Sequence, residues 1–118
     1  MITKEGRFVF DYDTVDNCLD ELLQVEIGKV FVSNEAVEKI AELLHLEDCE
    51  TEESLRAIRN AVVVRIAAIE KAKANLDENG NEIPGKKVNY DEMMKYSNKI
   101  SGITSVIDSY LWKKGFPV

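Results

Sequence analysis

A chain of 118 residues with 45% hydrophobic and 31% charged residues has the size and make-up of a single soluble globular domain. A formal net charge of −7 argues against non-specific nucleic-acid binding by the whole molecule. No apolar run approaches the roughly 20 residues that span a membrane, and Met1–Gly6 lacks the apolar core of an export signal, so a cytoplasmic location is expected.

The chain opens with Arg7-Phe8-Val9-Phe10, which reads as a short strand with Phe8, Phe10 and Tyr12 on one side at period two. Asp13 suits the N-cap of a helix from Thr14 to about Glu26, with Val15, Cys18, Leu19 and Leu22 as its apolar stripe. Gly28 supplies a stop. Lys29-Val30-Phe31-Val32 is a second candidate strand, able to pair with the first as a small β-ribbon.

Ser33 caps the next helix, about 34–45, with Val32 and Val37 placed as a hydrophobic staple and Val37, Ile40, Ala41 and Leu44 facing inward. The acidic turn 47–50 leads to Thr51, the cap of a long helix over about 52–76. Leu55, Ile58, Val62, Arg65, Ile69, Ala72 and Leu76 follow three-four spacing along it. Its centre, residues 61–69, is apolar almost all round and therefore expects cover on more than one side, from the N-terminal helices or from a second copy.

Residues 77–88 form a polar connector with Asn-Gly and Pro-Gly turn signals. Asn89 caps a second long helix, about 90–114. Glu92 is placed for a capping box, and Val88 faces Met93 as a staple. Met93, Tyr96, Ile100, Ile103, Ile107 and Tyr110 make its inner stripe, and Gly115, Phe116 and Pro117 end it. Two matched amphipathic helices with a short connector predict an antiparallel hairpin. The fold class is therefore mainly α: a long helical hairpin packed with two shorter N-terminal helices, and a possible two-stranded ribbon, in one domain.

The charge divides at the start of this hairpin. Residues 1–54 carry 15 of the 22 acidic and 4 of the 15 basic residues, a formal −11, and residues 55–118 carry +4. In the hairpin, Arg56, Arg59, Lys113 and Lys114 gather with Trp112 and Tyr110 at one end, a combination that can bind nucleic acid. The acids from Glu47 to Glu53 arrive at the same end, so internal neutralisation is the expected outcome and nucleic-acid binding is not. The stretch 39–58 has the outline of a helix-turn-helix. Its second helix, however, would present Glu52 and Glu53 to phosphate.

Arg65 interrupts an apolar stripe, so it either snorkels to solvent or pairs with an acid such as Asp108, one from the N-terminal half, or an anionic ligand. Ser97, Ser101, Ser105 and Ser109 lie on one ridge, suited to close packing against Ala57, Ala61, Ala68 and Ala72, or to a hydroxyl-lined groove with Arg65 and Asp108 nearby. His45 and Cys49 at i, i+4, with Glu42 or Asp48, fall short of a zinc ligand set. The run 77–81 alternates oxygen ligands like a calcium loop but has Gly80 and Val88 in the wrong places. The cysteines form no CxxC unit and read as reduced thiols. With one histidine and no Gly-rich phosphate loop, no catalytic set, cofactor or metal is expected.

The functional expectation is a small acidic, non-catalytic protein that acts by protein–protein contact, in the manner of inhibitors, immunity proteins or phage accessory proteins. It would self-associate and meet a partner with a basic surface. The alternatives are a small anionic-ligand or nucleotide binder at Arg65 with Ser97, Ser101, Ser105 and Ser109, and nucleic-acid binding through the Arg56/Arg59/Lys113/Lys114 end.

Overall fold

The computed structural model describes residues 12–27 and 32–116. Among these residues four helices occur in the order α1 (Tyr12–Gln24), α2 (Asn34–Leu43), α3 (Glu52–Lys73) and α4 (Tyr90–Lys113), with a 3-10 turn at Leu46–Asp48 between α2 and α3. The fold is mainly helical. The expected strands at 7–10 and 29–32 lie outside the described residues except for Val32, which is not in a strand, and Gly28 lies outside them too.

The helix starts follow their capping residues. The Ser33 hydroxyl accepts the Ala36 N–H at 3.2 Å, Thr51 Oγ1 accepts the Ser54 N–H at 3.1 Å, and Asn89 Oδ1 accepts the Glu92 N–H at 3.2 Å. Two details differ from expectation. Tyr12 is already helical, so Asp13 sits in the first turn of α1 rather than capping it, where its charge still complements the helix dipole. The capping box at α4 does not close through Glu92, because the Asn89 N–H donates instead to the Ala74 carbonyl at 2.9 Å. That bond fastens the start of α4 to the end of α3.

The helix ends fall earlier than apolar periodicity alone implies. His45 (φ 54°) and Asn75 (φ 64°) adopt left-handed backbone, which stops α2 at Leu43 and α3 at Lys73. After α3 the connector folds tightly. Asp77 Oδ1 accepts the N–H groups of both Asn79 and Asn81 at 2.9 Å, and Gly80 takes a positive φ between them. This carboxylate oxygen therefore organises a turn. At the far end of α4 the Phe116 N–H bonds to the Leu111 carbonyl and the Gly115 N–H to that of Trp112, the paired closure of a Schellman motif, with Gly115 at φ 83°.

α3 and α4 are the most extensively packed helix pair. Arg59 bonds Asp108 at 2.8 Å and the Ser97 hydroxyl donates to Glu70 at 2.6 Å. Eleven residues forward along α3 thus match eleven back along α4, which fixes an antiparallel register without slip. Leu55, Ile58, Ile66, Ile103, Ile107 and Leu111 are fully buried, joined by Val15 and Leu22 of α1 and Ile40 and Leu44 of the α2 region. Truncating any of these to alanine removes transfer energy and opens a cavity, about 2–5 kcal/mol each.

The apolar centre of α3 is covered from two sides by the chain itself, α4 on one and α1 on the other. Val64 and Ala68 remain exposed on its outer side.

Candidate interaction surface

Arg65 finds its partner in the N-terminal half. Its Nε and Nη2 donate to both carboxylate oxygens of Asp16 at 2.8 and 3.1 Å, and its guanidinium lies 4.5 Å from the centroid of the Tyr12 ring. Asp108, the other candidate, is taken by Arg59. Arg65 is thus turned toward α1, while Ser97, Ser101, Ser105 and Ser109 all stand on the exposed face of α4. The structure does not bring the arginine and the serine ridge together.

Nor does that ridge pack against the alanines of α3. Ser105 and Ser109 return their hydroxyls to the carbonyls of Gly102 and Val106 at 2.7 Å, and Ser97 reaches across to Glu70. The close approach on α4 occurs one residue beyond Ser101. A Cβ on Gly102 would stand 2.4 Å from Cγ2 of Ile27, so the chain leaving α1 crosses α4 where only hydrogen fits.

The residues expected at the basic end use their charges in different ways. Lys114 Nζ donates to the backbone carbonyls of Cys49 (2.6 Å) and Glu47 (3.3 Å), closing the segment that follows the 3-10 turn. The Tyr110 hydroxyl, not a lysine, donates to the Glu47 carboxylate at 2.8 Å. Burial first, and then this bond to Glu47, push the Tyr110 pKa up to about 12. Arg56 lies 3.7 Å from Glu52 one turn earlier, Lys113 lies over the Tyr110 ring, and Trp112 is 75% exposed. On the opposite side Lys99 donates to the Val25 carbonyl. Burial lowers the Lys99 pKa, with Lys95 adding to the effect and Glu26 opposing it. Beside the shared apolar core, the polar contacts from the hairpin to the N-terminal half thus include two lysines on backbone carbonyls and the Asp16–Arg65 pair. Carboxylate-to-lysine neutralisation is less extensive than the charge pattern implies.

The acidic side chains remain on the surface as a result. All eleven Asp and Glu residues between 12 and 50 are exposed. Between α1 and α2 they border a cleft of about 360 Å³ lined by Thr14, Asn17, Cys18, Glu21, Glu42, Leu43 and His45. Glu21 also borders a second cleft, of about 500 Å³, where Glu26, Glu35 and Lys39 surround Val25 and Ala36. The two clefts share Glu21, and in the first, the α1–α2 crevice, exposed Glu21 and Glu42 stand beside buried Cys18 and half-buried Leu43.

No reactive thiol lies in it. Cys18 donates to the Thr14 carbonyl, and burial, aided by Glu21, pushes its pKa up to about 11. Cys49 is fully buried and pushed up to about 12, chiefly by burial, with Lys114 opposing and Asp48 adding. The Cys49 thiol donates to the His45 backbone carbonyl. Among the described residues no group of three or more potential ligands could hold a metal ion. No helix among them is long and apolar enough to cross a membrane.

Comparison with protein-family models, curated proteins and solved structures finds no match, so the reading of function rests on this surface and its chemistry.

Proposed function

We propose that this chain is a non-catalytic cytoplasmic protein that works by binding a protein partner with a basic surface, and that it does so as a homodimer or larger assembly. The observation that carries the partner reading is the α1–α2 crevice, where Glu21 and Glu42 flank the apolar floor of Cys18 and Leu43. That arrangement suits a segment with apolar residues on one side and lysine or arginine at the edges. Apolar contact supplies affinity, and the acidic rim supplies selection and a faster encounter.

The small-anion reading is favoured less, because Arg65 is engaged by Asp16 and Tyr12. The nucleic-acid reading is favoured less, because Lys114 is spent on carbonyls of its own chain.

The test is a titration of fluorescent amphipathic Lys/Arg-rich and Glu-rich peptides of equal length against the protein, followed by anisotropy at two salt concentrations. Salt-sensitive binding of the basic peptide alone is expected, weakened at least tenfold by the paired substitutions Glu21→Gln and Glu42→Gln. Equal binding by this variant overturns the crevice as the site. Sedimentation over a range of concentrations tests the assembly.

A further inference from the structure

Four large hydrophobic residues are exposed among the described residues, and three of them lie on α4: Tyr90 at 61%, Met94 at 58% and Trp112 at 75%. Helical spacing of 100° per residue puts all three on one narrow seam. Two of three pairs along that seam match in kind about Ser101. Tyr90 and Trp112 stand eleven residues to either side, Met94 and Asp108 seven, and Ser97 and Ser105 four. It is bulky at both ends and small in the middle.

We infer that α4 is the two-fold interface of a homodimer, in which the α4 helices of two copies pack antiparallel with Ser101 on the axis. The inference rests on the self-association reading above and adds its surface and register.

A seam that pairs like with like about its centre, as Tyr90 with Trp112 and Ser97 with Ser105 do here, can meet itself when reversed, as an isologous contact requires. In this register Tyr90 of each copy meets Trp112 of the other, so two aromatic contacts clamp the ends. The serines between them allow the backbones to approach closely.

Lys95 and Lys113 stand off the seam, resting over Tyr96 and Tyr110 of their own helix, so the contact buries neither lysine. Met94 is the one unlike match, meeting an Asp108 already bonded to Arg59.

Facing Cα atoms on the axis would be about 4–5 Å apart, from an interaxial distance of about 8–10 Å less two helix radii. That lies within disulfide range. The experiment is therefore mild oxidation with glutathione disulfide of single-cysteine substitutions on the exposed seam, beside sedimentation of the full chain. The native thiols are buried, and the unsubstituted chain serves as the blank.

Ser101→Cys should cross-link with itself. Ser97→Cys and Ser105→Cys should each fail alone, being about 12 Å from their own copies, and should link when mixed. Trp112→Ala should raise the dimer dissociation constant at least tenfold. A dimer that persists without these links, or links of Ser97→Cys and Ser105→Cys each to itself, overturns the antiparallel α4 interface and leaves self-association standing. A strict monomer at every concentration overturns both, and leaves the basic-partner crevice untouched.

Discussion

Arg65 and Asp16 form a two-pronged ion pair that sets α1 on α3, with the Tyr12 ring completing the arginine's surroundings. The pair joins the acidic half of the chain to the basic half at the middle of the long helix. Both side chains keep about two-fifths of their surface, 41% and 44%, so the pair is screened and modest in energy.

Arg65→Met should therefore cost about 1 kcal/mol or less of stability, combining an exposed pair with one cation–π contact, and should leave helix content unchanged. Arg65→Lys should recover only part of it, because an ammonium cannot donate to both oxygens in one plane. Urea denaturation at low and high salt is the measurement. A loss several-fold larger would mean that Arg65 holds more than α1.

Gly102 and Ile27 make a tighter constraint. Alanine normally favours a helix interior over glycine by about 1 kcal/mol. Here its Cβ would meet Ile27 Cγ2 at 2.4 Å and Cδ1 at 2.8 Å. Gly102→Ala should thus destabilise by about 1–3 kcal/mol, the range for overpacking. Combining it with Ile27→Ala should recover much of the loss, giving a coupling energy in a double-mutant cycle. Simple additivity of the two changes would contradict the contact.

Lys114 should behave unlike a surface ion pair. Its ammonium serves two carbonyls, Glu47 within the 3-10 turn and Cys49 just after it. Lys114→Met should cost about 1–2 kcal/mol, the scale of a charged hydrogen bond, while Lys113→Met should cost about 0.5 kcal/mol or less. Thermal denaturation of the two variants side by side decides the order.

Alkaline pH should weaken the fold. Tyr110 is raised from 10.0 to about 12, Cys49 from 9.0 to about 12 and Cys18 from 9.0 to about 11. Each binds its proton more tightly when folded. Its contribution is complete below the unfolded pKa and is lost as pH rises through the folded one, a window of about pH 9–12. Lys99, lowered by burial, works in the opposite sense, because losing its charge favours the folded state. Three groups against one give a falling urea midpoint between about pH 9 and about pH 12. Glu47→Gln should also bring the tyrosinate absorbance of Tyr110 to lower pH. A flat midpoint over that window would contradict the account.

Much of the fold was legible in the chain because its signals are local. The caps Ser33, Thr51 and Asn89, the Gly115–Phe116 closure and the three-four stripes each depend on residues within a turn or two of one another. The charge division and the antiparallel hairpin follow from composition and connector length.

The tertiary structure alone decided which groups meet. Periodicity cannot say that Asp16 rather than Asp108 answers Arg65, because both lie 49 or 43 residues away and only packing brings one of them near. It placed the serine ridge in solvent and assigned the close approach to neighbouring Gly102, a choice fixed by how α3 and Ile27 share the surface of α4. It also spent Lys114 on the Glu47 and Cys49 carbonyls rather than on a carboxylate. Sequence determined the helices and their faces, since these are properties of neighbours along the chain. Pairing between helices was decided in three dimensions, where candidates of like charge and size compete for the same space.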